Sequence, residues 1–432
     1  MQQSIINEKL LTFIWQNKLF GIDKLVSTTG EKIEVLNTGY VNKMSGPDIY
    51  NAQVRIDEII WTGNIEIHVK SSHWYQHGHH NDHAYDNIIL HIVYEDDTPL
   101  VDKHGNKVST LIIKPSDEIL ERYQELTTQN DTSKCPAGIF EMNTFNSLSF
   151  TTRLAVERLE YKAEAIRNTL TQNTGNWIET FWQFLARSFG FGKNALPFEL
   201  TAKSLPYNII TKNSDSFVSV LALLYGQAGF LFNNKYKGSD APILLQEYNF
   251  LKSKYNLSPI DPSIWKYSGM RPQNSPFVRI RQLASITATN EPLFSRLIEC
   301  YNIDDALHLF HIPHDSPTPQ LGTEAMQLLV INLVCPFLVC YGKYTDNYTL
   351  LERAVDFLEK LPAEKNSLVL AKKKAGFCVQ NAYDSQSLIQ LHTMYCTPRK
   401  CIECQVGRYY ISDIKKTGSV FGSRPRNQKI NN

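Results

Sequence analysis

The hydrophobic period of this 432-residue chain changes once, near residue 140, and that change limits the folds open to it. Before it, short runs bounded by turn residues read as strands: KIEVLNTG (32–39), IYNAQVRID (49–57), EIIWTG (58–63), NIEIHVKS (64–71), NIILHIVYE (87–95) and STLIIKP (109–115). One helix precedes them, NEKLLTFIWQNKL (7–19), with Leu10, Leu11, Ile14 and Trp15 on roughly one face. After residue 140 almost every segment has helical period, as in FTTRLAVERLEYKAEAIRNTL (150–170), WIETFWQFLARSFG (177–190), SFVSVLALLYGQAGFL (216–231) and YTLLERAVDFLEKL (348–361). The length exceeds what one ordinary core holds. The expected fold is therefore α+β: a helix-plus-mixed-sheet domain at 1–126, a polar linker at 127–139, an all-α domain at 140–412 and a flexible tail at 413–432.

Apolar residues at 42% and charged residues at 20% suit a folded soluble protein, and a net charge of +1 argues against a chain that is basic throughout. The first twenty residues lack a basic region followed by an apolar run and a cleavage site, so no signal peptide is expected. The most apolar stretch, LLVINLVCPFLVC (328–340), is too short for a membrane span and contains Pro336. These readings predict a cytoplasmic protein with no membrane partner. Eight cysteines are too few for a disulfide scaffold and are expected to be reduced thiols or metal ligands, with Cys300, Cys335 and Cys340 in core helices.

Chemistry concentrates in NIEIHVKSSHWYQHGHHNDH (64–83). In NIEIHVK the apolar Ile65, Ile67 and Val69 alternate with Glu66, His68 and Lys70, so the last three leave one face of a strand about 7 Å apart at each step. Upstream, Gly46-Pro47-Asp48 forces a turn whose aspartate opens the next strand. If the strands carrying Asp48 and Glu66 pair, two carboxylates and a lysine converge, a set suited to metal-assisted phosphodiester hydrolysis: the carboxylates hold Mg²⁺ or Mn²⁺ and the lysine orients water or stabilises charge. Seven of twelve histidines fall between 68 and 91, namely His68, His73, His77, His79, His80, His83 and His91, and imidazole suits Zn²⁺, Mn²⁺ or Fe. The bland alternatives are a solvated HGHHND turn, a hydrogen-bonded core His91, and an exposed sheet face of salt-bridged charges.

A second cluster lies in LHTMYCTPRKCIECQVG (391–407). Cys396, Cys401 and Cys404 follow C-x4-C-x2-C spacing with His392 one helical turn earlier. With His392 it closes a Cys₃His zinc site; with Cys135 or Cys378 as a distant fourth ligand it holds zinc or an iron–sulfur cluster. In WKYSGMRPQNSPFVRIRQLA (265–284), Arg271, Arg279 and Arg281 surround two prolines and either contact phosphates or cap helices.

The helix followed by Pro47-Asp48 and Glu66 resembles the PD-(D/E)XK nuclease superfamily, in which a helix precedes a hairpin carrying Pro-Asp and then Glu-x-Lys. The departure is His68 two residues after Glu66, with the lysine at 70, so either His68 stands in for the lysine or Lys70 acts from one strand position further along. The resemblance implies a restriction-endonuclease-like domain, nucleic acid as substrate, and an acidic residue on the first helix, for which Glu8 is the candidate. It also makes an iron–sulfur clamp available, as in RecB-like members. Over nearly its whole length, through GPDIYNAQ, GNIEIHVKSSHW, LHIVY, MRPQNSP and YCTPRKCIEC, the chain resembles a bacterial family of unknown function, domain of unknown function 2851. The leading expectation is a metal-dependent nuclease. The alternatives are a scaffold with a decayed nuclease fold and a structural metal, or a His-rich metallohydrolase acting on a small phosphoester.

Overall fold

The computed structural model describes residues 6–21, 25–102, 105–128, 135, 144–232, 236–289, 291–313, 316 and 318–412, with side chains omitted at 144–147. It is mixed α+β, a seven-stranded sheet with helices followed by a helical region, as the change of period predicts. The chain divides into two compact units, and they do not follow chain order: 1–147, 374–377 and 391–432 form one, and 148–373 with 378–390 form the other. The C-terminal cysteine segment thus belongs to the sheet unit, whereas the sequence pattern grouped it with the helices. Most of the expected linker and all of the expected tail lie outside the described residues.

In the first unit, α1 (Glu8–Gln16) starts at Asn7, whose side chain accepts from the Leu10 N–H at 3.0 Å. Its apolar face, Leu10, Leu11, Ile14 and Trp15, is fully buried, each residue worth roughly 1.5–3 kcal/mol relative to exposure. The Trp15 indole donates to Thr38 O at 2.9 Å. Strands β1 (Leu25–Val26), β2 (Lys32–Asn37), β4 (Ile49–Ile56) and β5 (Ile59–Lys70) are joined antiparallel, with β3 (Tyr40–Val41) pairing on β4. After a crossover, β6 (Ile88–Glu95) lies parallel to β5, and β7 (Thr110–Ile112) parallel to β6. The crossover contains α2 (His73–Gln76) and two 3₁₀ turns, His79–Asn81 and His83–Tyr85. Helix α3 (Asp117–Thr128) follows β7.

EIIWTG and NIEIHVKS, expected as separate strands, are one twelve-residue strand, β5. Gly63 marks no turn there. A Cβ at that position would stand 2.5 Å from Ile89 Cγ2 and 2.8 Å from Asn87 O, so the missing side chain is what lets the start of β6 approach.

The second unit is helical and packs a core that includes Trp182, Phe189, Phe198, Phe230, Phe337 and Phe357. The run 328–340, expected to be too short for a span, lies inside a 22-residue helix, Thr323–Tyr344, long and apolar enough to cross a membrane by length and composition. Of its apolar window, 72% is buried. Pro336 does not break this helix, because a π-turn at Val330–Val334 precedes it and the proline falls at the start of the following α-helical segment. Cys300, Cys335 and Cys340 are buried core residues, as expected.

Candidate metal centre

The bend before β4 and the alternation along β5 bring Asp48 and Glu66 into direct contact. The Asp48 N–H donates to Glu66 Oε2 at 3.1 Å, and the Ile67 N–H donates to Asp48 Oδ2 at 3.1 Å, so each carboxylate is held by the other's strand. Glu66 is 5% exposed. Burial, the Asp48 carboxylate and Glu8 together push the Glu66 carboxyl up to about 9. Burial, aided by Glu8, raises Asp48 to about 6 against the opposing Ile67 N–H bond.

Five imidazoles close around this pair. His68, 1% exposed, points its Nε2 to within 3.6 Å of Glu66 Oε1. His79 Nε2 lies 3.2 Å from the same oxygen, at an angle that makes no hydrogen bond. His68 Nε2 is 3.2 Å from His77 Nδ1, and its Nδ1 is 2.9 Å from His91 Nε2. The His73 ring stands edge-on to His68 at 6.0 Å, with its Nδ1 3.9 Å from Glu8 Oε1. Gly78, at φ 76°, is what folds the loop so that His77 and His79 face one direction. Among the described residues, ligand atoms of His68, His77 and His79 lie within 4.8 Å of one another, against roughly 3.4 Å for three nitrogens on one tetrahedral ion at 2.1 Å.

Burial and the neighbouring imidazoles hold His68 far below the ordinary histidine range. His79 falls to about 4 and His91 to about 3, mainly through burial. All three are neutral at pH 7, the form that ligates metals. Either nitrogen of the His68–His91 contact can carry the proton; the tautomer that a metal would select has it on His68 Nδ1, donated to His91 Nε2, with the His68 Nε2 lone pair facing Glu66, His77 and His79. His91 is completely buried and its Nδ1 has no hydrogen-bond partner, so it orients His68 from behind. Buried acids that resist ionising beside neutral imidazoles are the electrostatic complement of a divalent cation.

Other expected residues sit elsewhere. Lys70 pairs with Glu95 of β6 at 3.3 Å, its register neighbour, at the exposed end of the strand. His80 Nε2 meets Asn81 at 2.9 Å, and His83 is exposed beside Asp86 at 3.2 Å. Two aromatic residues escaped the sequence reading. Tyr85 stacks on His79 at 3.9 Å between centroids, and Trp74, 2% exposed, packs edge-on against the same imidazole at 5.4 Å. No spacing rule marks either residue; both depend on how the crossover folds.

In the C-terminal segment, Cys396 closes a π-turn beginning at His392, and the chain turns back at Arg399, whose φ is 56°. Cys401 Sγ donates to Leu126 O of α3 at 3.6 Å, and Cys404, 7% exposed, directly precedes the helix Gln405–Ser412. Burial chiefly pushes the Cys404 thiol up to about 12; Cys396 and Cys135 add to this, while the Gly407 and Val406 N–H groups aimed at its sulfur oppose it. Cys135, Cys396 and Cys404 therefore share one neighbourhood. Cys378 is exposed and belongs to the other unit. Arg271, Arg279 and Arg281 also belong to the helical unit, where Arg281 is bound by Asp240 and Tyr236.

No curated protein and no solved structure matches the chain. The model of a family described as Protein of unknown function (DUF2851) matches residues 8–367, from Glu8 on α1 through the whole carboxylate and histidine cluster and most of the helical unit, and the chain belongs to that family.

Proposed function

We propose that the Asp48, Glu66 and histidine cluster is the metal-dependent active site of a hydrolase that cleaves phosphodiester bonds, with nucleic acid as substrate. The observation that carries this reading is the mutual clasp of Asp48 and Glu66, both unusually reluctant to ionise, against the converging nitrogens of His68, His77 and His79. The donor set, two carboxylates with neutral imidazoles, favours Mn²⁺ over Mg²⁺. Bound there, the ion supplies Lewis acidity toward a phosphoryl oxygen. Asp48, Glu66, His68, His77 and His79 would hold it, His91 fixes the His68 ring, and Glu8 and His73 at the margin are positioned to orient water and carry its proton. The order of helix and hairpin, with Pro47-Asp48 before Glu66, supports the likeness to PD-(D/E)XK nucleases.

The test is cleavage of bis(p-nitrophenyl) phosphate and of single- and double-stranded oligonucleotides with Mn²⁺, Mg²⁺ or chelator. Mn²⁺-dependent turnover on the oligonucleotides is the expected result. Turnover confined to the small diester would favour the small-phosphoester reading, which the burial of Glu66 and His68 also suits. No turnover with any metal would leave the scaffold reading. Independently of substrate, Mn²⁺ is expected to raise the melting temperature by several degrees, and His79→Ala to remove most of that rise. An equal rise in the variant would exclude His79 as a ligand.

We further propose that Cys135, Cys396, Cys401 and Cys404 hold a structural iron–sulfur cluster. The nearness of Cys135 and Cys396 to the buried Cys404, with Cys401 three residues before it, supports a shared thiolate site, and four thiolates are a ligand set that such a cluster takes. Anaerobically purified protein is expected to contain iron and absorb in the visible, and Cys404→Ser to lose both. Zinc without colour would replace the cluster with a mononuclear site, and no metal would remove the idea.

A further inference from the structure

The helical unit contains a second polar site that neither the carboxylates nor the cysteines explain. A cavity of about 290 Å³ is lined by Phe191, Lys193, Asn194, Arg271, Asn274 and Arg279, with no carboxylate among its described walls. Arg279 is 8% exposed. Its guanidinium donates to Gln282 Oε1 at 3.0 Å and Asn274 Oδ1 at 2.5 Å, and lies 4.3 Å over the Phe191 ring, while its Nε–H has no partner. Neutral amide oxygens and one aromatic face leave the charge itself uncancelled. Burial accordingly lowers the Arg279 pKa to about 10. Two residues along the same helix the chain does the opposite: Arg281 is bound by Asp240 and Tyr236, and its pKa is raised.

The surroundings add positive potential. Lys193 donates to Gly269 O at 2.8 Å and so stays at the rim. Arg271 stands in the loop beside it, and Glu324, a carboxylate within its electrostatic reach, is already paired with Lys365 at 2.9 Å. Pro276 puts the positive end of the twelve-residue helix Pro276–Thr287 at the wall. The loop is rigidly built: Asn194 donates to Lys266 O and accepts from Lys266 N–H, both at 2.9 Å. A buried, uncancelled guanidinium is costly to fold, and retaining one at a pre-shaped cationic cavity makes sense when an anion supplies the missing charge.

We propose that this cavity binds a phosphate group, held by Arg279, Arg271 and Lys193. The site stands in the helical unit and does not depend on the metal-centre reading. The source is either free phosphate or the terminal phosphate of an oligonucleotide. Titration calorimetry at constant ionic strength, using inorganic phosphate, a 5′-phosphorylated trinucleotide and its unphosphorylated form, distinguishes them. Saturable phosphate binding is expected, weakened at least tenfold in Arg279→Gln and severalfold in Arg271→Ala and Lys193→Ala. The latter two change exposed side chains and keep the test valid if Arg279→Gln fails to fold. Equal affinity for phosphate and the phosphorylated trinucleotide would support free phosphate as the ligand, and tighter binding of the trinucleotide would support a strand end. No saturable binding, or binding unchanged in Arg271→Ala and Lys193→Ala, would overturn the proposal.

Discussion

A Glu66→Gln variant is expected to fold normally and lose roughly a thousandfold in metal-dependent turnover, about 4 kcal/mol of barrier. The two outcomes have one physical origin. Burial and Asp48 push the Glu66 carboxyl up to about 9, so the metal-free protein at pH 7 carries it neutral, and glutamine copies that neutral shape while losing the charge a cation needs. The sign of the pH dependence follows. Between its ordinary value of 4.5 and about 9, the folded chain holds a proton that the unfolded chain has released, so metal-free stability falls as pH rises through that range. The slope is at most about 1.4 kcal/mol per pH unit. Asp48 acts in the same direction over 3.8 to about 6. The buried His79 and His91 act oppositely, with depressed values that cost stability as pH falls below 6.5. Well above 6.5 the histidines are neutral in both states, and Lys162, lowered by burial to about 7, adds stability as pH rises beyond that value, so the Glu66 contribution is read as the difference between wild type and Glu66→Gln. Denaturant titrations of chelated protein at pH 6.5, 7.5 and 8.5 should therefore show wild type weakening relative to Glu66→Gln as pH rises, with Mn²⁺ restoring the wild type. Parallel slopes in the two proteins would refute this account of Glu66.

How much of this was legible beforehand varied with the range of the interaction. Helix α1 and the alternation of Glu66, His68 and Lys70 are local, set by period alone, and the structure keeps both. Non-local placements were not legible. Lys70 leaves the same strand face as Glu66, yet its partner is decided by the parallel register that sets it opposite Glu95 on β6. His77, His79, His80 and His83 look equivalent in HGHHNDH, and only the succession of short turns aims the first two inward. EIIWTG and NIEIHVKS read as separate strands because the role of Gly63 in close approach depends on a neighbour that is distant in sequence. Cys135 met Cys404 only because the C-terminal segment returns to the sheet unit.

The open choice between His68 and Lys70 yields the second large effect. A lysine beside a nuclease metal contributes a fixed positive charge, which His68 cannot supply, since burial keeps its imidazole neutral. On the proposed reading His68 would act as a ligand, and the metal would provide the charge. Lys70 has its amine against Glu95 and a side chain 40% exposed, the setting of a surface pair worth about 0–1 kcal/mol. His68→Asn, whose amide can still donate to His91, is expected to weaken Mn²⁺ binding at least a hundredfold and to reduce kcat/KM at saturating metal by two orders of magnitude or more. Lys70→Ala should change kcat/KM less than threefold and leave metal affinity untouched. Direct Mn²⁺ titration by electron paramagnetic resonance separates binding from chemistry in both variants. If Lys70→Ala loses a hundredfold in turnover with metal affinity intact, the lysine supplies transition-state charge after all, and its pairing with Glu95 must break when substrate binds.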